Sequence, residues 1–326
     1  MITAFLTGAT AGHVGSFGTA SNVLKHASSL LRRSPGLCNR HQLHVVHDSH
    51  RYRHNTSIAN GVHLHYFEPV ASMPPGDARW RMFASVLNGA AVGDWDCAWA
   101  LDMTDVGVLR IPPCDIDHYG PAGLAIGSDA CSNMKPWLRQ VAERANWTSD
   151  DSAFRAHLRG ESQHLHHSHH PHQIFNCGII GGLRGAFLPA VERMAARMAA
   201  RYSTHPPPPH VPMDMLFWNE EALRLSRERS QPLVSGYPHG PVNLPMWGGL
   251  SDATAACPRH VDPFVVGQLV GGSSVRPACT RSAACRMAWV NATLGHYWFG
   301  HKLQAWWWRY NAIHLGRGGW RNSCVR

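Results

Sequence analysis

Two carboxylates, Asp102 and Asp105, directly follow an apolar segment of the sequence. They lie in the stretch ALDMTDV, residues 100–106. At the end of a strand, two such carboxylates can share a hard divalent cation, because these cations prefer oxygen ligands and also accept substrate phosphates. The alternative is that an aspartate caps the turn after the strand. The spacing therefore indicates a cation site or a turn.

Two later segments place polar residues where packing alone does not explain them. The first, IFNCGIIGG at 174–182, has Asn176 and glycines inside an apolar strand. Such residues indicate either close approach of a ligand to the backbone or a bulge. The second, PMDMLFWN at 212–219, places Asp214 at a helix start, where N-capping or interaction with the helix dipole is the alternative role.

The elements that must position these residues alternate between strand and helix patterns. This alternation predicts an α/β fold with a mostly parallel central sheet and helices on both faces. Ligands of such sheets bind at the carboxyl ends of the strands, where Asp48, Asp102 and Asp129 would lie. The predicted strands are 2–7, 43–47, 62–67, 97–101, 123–127 and 175–180, and the helical patterns are 20–31, 82–90, 138–145, 187–202 and 213–225.

The three segments, in this order, resemble the nucleotide-sugar glycosyltransferases of the GT-A fold. In that group a strand ends in a DxD-like motif that holds Mn²⁺ and the sugar-nucleotide diphosphate, an N-x-G-x-x-x-G segment lines the donor-sugar and acceptor pocket, and a D-Q-x-x-x-N helix follows. The resemblance covers roughly residues 1–225. The acidic motif here is D-x-x-D, and Met215 replaces the usual glutamine.

The resemblance implies transfer of a sugar from a UDP- or GDP-linked donor to a carbohydrate or protein acceptor. Its Mn²⁺ (or Mg²⁺) would neutralise the charge on the leaving nucleoside diphosphate. The segment HYWFGHK at 296–302 is similar to the H-x-x-G-x-x-K segment of glycosyltransferase family 8, with different spacing. The implied metal ligands are Asp102, Asp105 and His296; the implied nucleotide-binding residues are Thr7, Gly8, Ala9, Asp48, Asp102 and Lys302; and the implied catalytic or sugar-positioning residues are Asp214, Asp129 and Asn176.

Two other functions remain open. The glycine-rich stretch at 6–15 resembles the nucleotide loop of short-chain dehydrogenases, which bind NAD(P), and Asp48 would be its ribose-binding acid. The glycine spacing and the lack of a tyrosine followed four residues later by lysine depart from that family. Alternatively, the domain only binds glycans or a partner, and tryptophans of the C-terminal segment stack on sugar rings.

The composition of the chain limits the classes of binding partner that we expect. The 326 residues include 30 basic and 21 acidic residues, a formal charge of +9. The basic residues are scattered and no nucleic-acid-binding motif occurs, so we expect no nucleic-acid partner. No apolar run is long enough to span a membrane. The tract HLHHSHHPH at 164–172 would bind Zn²⁺ or Ni²⁺ in vitro, but a surface insertion without a role explains it as well.

The cysteines and sequons bear on the compartment. Nine cysteines occur without a CxxC pair, and a disulfide is plausible within residues 257–285. Three N-glycosylation sequons, at Asn55, Asn146 and Asn291, favour a secretory lumen, whereas the N-terminal residues do not form a signal peptide. The prediction is the Golgi or another secretory compartment if an anchor precedes this sequence, and the cytoplasm otherwise. We expect residues 1–230 to form the catalytic domain, with the histidine-rich loop 161–172 inserted and residues 231–326 completing it.

Overall fold

A computed structural model describes sixteen stretches of the chain. They are 3–9, 42–54, 56–58, 62–68, 73–89, 94–102, 106–108, 111–129, 134–159, 174–204, 206, 211, 213–228, 233–235, 242–245 and 298–301. The predicted helix at 20–31 and the histidine-rich loop lie outside these residues.

The described residues form eleven strands, six α-helices and one short 3-10 helix at His50–Tyr52. The strands are β1 (Thr3–Ala9), β2 (Gln42–His47), β3 (Thr56–Ile58), β4 (Val62–Tyr66), β5 (Cys97–Leu101), β6 (Val106–Val108), β7 (Leu124–Asp129), β8 (Ile174–Leu183), β9 (Val234–Ser235), β10 (Asn243–Pro245) and β11 (Phe299–His301). The helices are α1 (Pro75–Asn88), α2 (Ile116–Tyr119), α3 (Met134–Arg144), α4 (Ser152–Arg159), α5 (Arg184–Thr204) and α6 (Asp214–Glu228).

The main sheet has the order β3-β4-β2-β1-β5-β8-β7-β9, and six of its strands have five or more residues. Strands β4, β2, β1 and β5 are parallel neighbours, and β7 and β9 also pair in parallel. Strand β8 runs antiparallel to both β5 and β7, and β3 runs antiparallel to β4. The α/β class and the mostly parallel sheet are therefore confirmed, with one long strand reversed inside the sheet.

Each face of the main sheet is covered by a different kind of structure. On one face, side chains such as Leu6, Ala98 and Ile180 join a core with α1, α3, α4, α5 and α6. On the other face, Phe5 and Trp99 pack against the small sheet β10-β11-β6 and the single-turn helix α2. Within the described stretches, then, the long helices lie on one face of the sheet. No described helix is long and apolar enough to cross a membrane.

Strand order reverses next to β1, which makes the ends of β1 and β5 a topological switch point. From β1 the chain moves outward through β2 to β4, then returns to place β5 on the other side of β1. In open α/β sheets, ligands bind outside the carboxyl ends of the strands at such a switch point. The region at the ends of β1 and β5, beside Gly8 and Asp102, is therefore where the fold favours a ligand.

A disulfide joins Cys97, the first residue of β5, to Cys114, which precedes α2. The closed loop contains β5, Asp102 and β6. The disulfide suggested within residues 257–285 lies outside the described part of the chain, whereas this one was not anticipated.

Candidate active site

The guanidinium of Arg79, in the first turns of α1, is the centre of the site. Its Nη1 donates to Asp102 Oδ1, and its Nη2 donates to Asp214 Oδ2 at 2.9 Å. Nη2 also lies 3.3 Å from the carbonyl oxygen of Cys177. One arginine thus joins a strand end, a strand interior and a helix start that are far apart in the sequence.

The Arg79 cluster lies at the switch point. Asp102 directly follows β5, and a Cβ placed on Gly8 of β1 would lie 3.7 Å from the Arg79 Cβ. This is an ordinary van der Waals distance, so the first turns of α1 lie directly beside the end of β1. The side chain of Asp102 is 33% exposed, so the carboxylate is partly open to solvent.

A second part of the site is formed by β8, whose pairing with β7 is irregular. Ile126 of β7 pairs with Ile180, whereas the next residue, Gly127, pairs with Asn176, so three residues of β8 have no partner on β7. In this bulge the Gly178 N–H donates to Asn176 Oδ1 at 2.6 Å, and the Asp102 N–H donates to the Gly178 carbonyl at 2.8 Å. The bulge brings Asn176 close to Asp102.

Gly178 is required by the closeness of Asp102. A Cβ at this position would overlap the Asp102 carboxylate and lie 2.8 Å from Asn176 Oδ1. The glycine therefore lets two oxygen-bearing side chains share the space above the bulge. The bulge interpretation of this segment is confirmed. The group that lies close to Gly178 is the Asp102 carboxylate of the same chain, and the close approach of a ligand stays a prediction.

The start of α6 is held by a carboxylate from α1. Asp77 accepts hydrogen bonds from the N–H groups of Met213 and Asp214, at 3.1 and 2.9 Å, and from the hydroxyl of Tyr202. Helix N-termini leave such N–H groups unpaired, and a carboxylate there also opposes the positive end of the dipole. Asp77 and Arg79, two residues apart on α1, together fix the backbone and the carboxylate of Asp214.

A buried asparagine joins α6 to β8. Asn219 accepts a hydrogen bond from the Phe175 N–H at 2.9 Å and donates to the Phe175 carbonyl at 3.0 Å. This exchange imitates a strand partner, and it fixes the distance between Asp214 and the bulge.

The pKa values of Arg79, Cys177 and Asp77 depend on the burial of each side chain and on the charges of its neighbours. Burial opposes the charge on Arg79, but the neighbouring Asp102 and Asp214 carboxylates prevail and raise its pKa. Burial, and next the Asp214 charge, raise the pKa of the Cys177 thiol well above its usual value, so Cys177 is a neutral thiol that donates to Asp214. Burial and the same neighbour raise the pKa of Asp77 to about 7.

Among the predicted residues, Asp102, Asn176, Asp214 and Gly8 meet in this site. The other predicted residues that the structure describes lie near the ends of neighbouring strands. Thr7 is buried in β1, where its Oγ1 has no described hydrogen-bond partner, and Ala9 pairs with His47 of β2. Asp48 directly follows β2, and the backbone of Asp129 pairs with Ile174 at the end of β7. Asp105, His296 and Lys302 lie outside the described residues.

Arg79, Asp77 and Cys177 were not predicted as site residues. The helical pattern marked the apolar face of α1, and an arginine beside that face looks the same whether it meets solvent or carboxylates. Cys177 lay inside a segment of interest but gave no signal of its own.

Two of the three predicted metal ligands, Asp105 and His296, lie outside the described residues. No group of three or more histidine, cysteine, aspartate or glutamate side chains that could hold a metal ion occurs in the described stretches. Asp102 contributes one partly exposed carboxylate, and its predicted partners are Asp105 and His296.

Comparison with known proteins does not assign the chain to a family. No protein-family model matches the sequence, and no curated protein gives a significant match to it.

Proposed function

We propose that this protein is a metal-dependent glycosyltransferase that moves a sugar from a nucleoside-diphosphate sugar to an acceptor. One observation carries the proposal. The polar residues of three separate segments, Asp102, Asn176 and Asp214, converge at the switch point of an α/β sheet, where such folds bind their ligands. The order and types of these residues are those that resemble the GT-A transferases.

The proposed roles follow from charge and position. A Mn²⁺ ion held by Asp102 and Asp105 would supply positive charge against the departing diphosphate. Asp102 suits this task because it is partly exposed and offers the oxygen ligands that a hard cation prefers. Lys302 would add a second positive charge to the diphosphate.

The sugar would lie over the β8 bulge. Asn176 and Asp214 would bind its hydroxyl groups, and Arg79 and Asp77 would hold Asp214 in place. If the transfer inverts the anomeric carbon, Asp214 or Asp129 would take the proton of the acceptor hydroxyl. If it retains the configuration, these carboxylates would position the donor.

The test is thermal unfolding of the full chain with UDP or GDP, each with and without Mn²⁺. All samples carry glutamine in place of the six histidines of the 164–172 tract, so that the tract cannot bind the metal. A ligand at 100 times its dissociation constant stabilises the folded state by about 2.7 kcal/mol. We expect a Mn²⁺-dependent shift with one of the nucleotides, and release of that nucleotide from its sugar conjugate.

The matched variants are Asp102→Asn and Asp94→Asn. Asp94 lies just before the first residue of β5, at the end of the strand opposite to Asp102. Its side chain is fully exposed and forms a 3.3 Å ion pair with Arg184. We expect Asp102→Asn to remove the Mn²⁺-dependent shift and Asp94→Asn to keep it. A circular dichroism spectrum and a cooperative transition without ligand show that each variant is folded.

Other outcomes would reject the transferase. A shift with NAD(P)H and none with the nucleoside diphosphates would favour a dehydrogenase. Binding to an oligosaccharide array that is unchanged in Asp102→Asn, without any nucleotide shift, would favour a glycan-binding module.

A further inference from the structure

The turn after α3 presents a glycosylation sequon at the protein surface. The sequon consists of Asn146, Trp147 and Thr148. The side chains of Asn146 and Thr148 are exposed, whereas Trp147 is half-buried and packs edge-on against Phe217, with ring centroids 4.7 Å apart. The central residue therefore anchors the turn, and the two residues that define the sequon face solvent.

The backbone of Asn146 ends α3 and needs nothing from the asparagine side chain. Its φ is 47°, the left-handed conformation that closes many helices and that asparagine tolerates. Its N–H donates to the Glu143 carbonyl at 3.1 Å, and the Trp147 N–H donates to Ala142 at 2.8 Å. Arg201 Nη2 lies 3.4 Å from the Asn146 carbonyl oxygen. A group attached to the amide nitrogen would thus leave the fold of the turn unchanged.

The disulfide between Cys97 and Cys114 is an independent indication of the compartment. Disulfides form and persist in oxidising compartments such as the lumen of the endoplasmic reticulum, which is also where sequons of secreted proteins are modified. An accessible sequon and a disulfide in one domain therefore point to the same environment.

We infer that Asn146 carries an N-linked glycan. In the transfer, the Asn146 Nδ2 forms a bond to the anomeric carbon of an oligosaccharide carried on a lipid diphosphate. The bond from that carbon to the phosphate oxygen breaks, the lipid diphosphate leaves with the electron pair, and the amide gives up one proton. The inference does not depend on the proposed transferase activity, because the host's own glycosylation enzyme performs the reaction.

The test is peptide mapping of the protein purified from the cells that make it, with an antibody against the full chain. The protein is alkylated under denaturing conditions without reductant, digested, and treated with a peptide-N-glycosidase in heavy-oxygen water. We expect the Asn146 peptide to appear at its unglycosylated position only after this treatment, with heavy oxygen in the aspartate that the enzyme leaves. We also expect Cys97 and Cys114 in one cross-linked peptide. An Asn146 peptide that is already at its unglycosylated position before treatment would overturn the inference.

A matched pair of secreted recombinant chains adds a control. Thr148→Val removes the sequon but keeps Asn146 and changes only an exposed side chain. The variant should lose the mass of one glycan relative to the wild type. Equal masses for two folded chains would also overturn the inference.

Discussion

Buried histidines on β2 and β4 should make this protein sensitive to mild acid. His44 and His65 are buried on one face of the sheet, with His44 Nδ1 2.9 Å from His65 Nε2 and their rings stacked at 5.1 Å. His47 is buried on the other face, where its ring meets Tyr52 edge-on. Burial lowers the pKa of His44 to about 3 and the pKa of His47 and His65 to about 4.

The sign of the effect follows from proton uptake. Between about pH 6.5 and 4 the unfolded chain protonates these histidines and the folded chain does not, so the free energy of unfolding falls as the pH falls. With 1.36 kcal/mol per pKa unit, each of the three histidines removes about 2 kcal/mol by pH 5, or about 6 kcal/mol together. Asp77 opposes this, because its raised pKa of about 7 makes the folded state take up a proton first and adds about 3 kcal/mol by pH 5. The net loss is about 3 kcal/mol, a large part of the 5–15 kcal/mol typical of a folded protein.

Urea unfolding at intervals between pH 8 and 4.5 measures this dependence. In His65→Gln, which retains a hydrogen-bonding side chain beside His44, the slope between pH 6.5 and 4.5 should be shallower by about 1.4 kcal/mol per pH unit. The control Thr148→Val changes an exposed side chain that does not titrate and should keep the wild-type slope. A wild-type free energy that does not change between pH 8 and 5, or identical slopes for wild type and His65→Gln, would refute the reasoning.

Three substitutions test the packing that holds the site. Gly181→Ala would place a Cβ inside the Trp99 indole and should lower the free energy of unfolding in urea by about 1–3 kcal/mol. In the control Gly185→Ala the added Cβ meets nothing within 4 Å, so the change should be close to neutral. Equal effects of the two substitutions would contradict the register of β8. Asn219→Ala leaves a buried N–H and carbonyl of β8 unpaired and should cost about 2–3 kcal/mol, and a neutral result would contradict the link from α6 to β8. Asp77→Ala leaves two N–H groups of the α6 start and a tyrosine hydroxyl unpaired and should lower the stability by about 3 kcal/mol; an unchanged urea midpoint would contradict its role.

The order of the long strands and helices along the chain was largely predictable, because the long strands are apolar runs that end in polar residues. Strand β5 was predicted with its exact bounds, and the other five predicted strands lie within one to three residues of the bounds of β1, β2, β4, β7 and β8. The short strands β3, β6, β9, β10 and β11 were not predicted. The reversal of β8 was not predictable, because an apolar run packs equally well in either direction and its pairing depends on a long connection. The glycines of β8 divide by cause: Gly178 makes room for Asp102, and Gly181 makes room for Trp99.

The site was only partly predictable for a related reason. Asp102, Asn176 and Asp214 stood out because polar residues interrupt or follow apolar patterns at those positions. Arg79 and Asp77 sit on an amphipathic helix, where charged residues are ordinary, and only the three-dimensional structure shows that they meet buried partners. Their functional weight comes from tertiary packing, which no local pattern encodes.

The Arg79 contacts have a consequence for the order of events during synthesis. Arg79 and Asp214 are separated by 135 residues, and Arg79 and Cys177 by 98. Because closing such long loops is slow relative to forming local helices, the site belongs to the late contacts of folding. A ribosome-bound chain that stops before residue 214 contains the residues of β1 and β5 but lacks Asp214, so it cannot form the complete site. Ligand binding at this site would then report that the chain has been completed beyond α6.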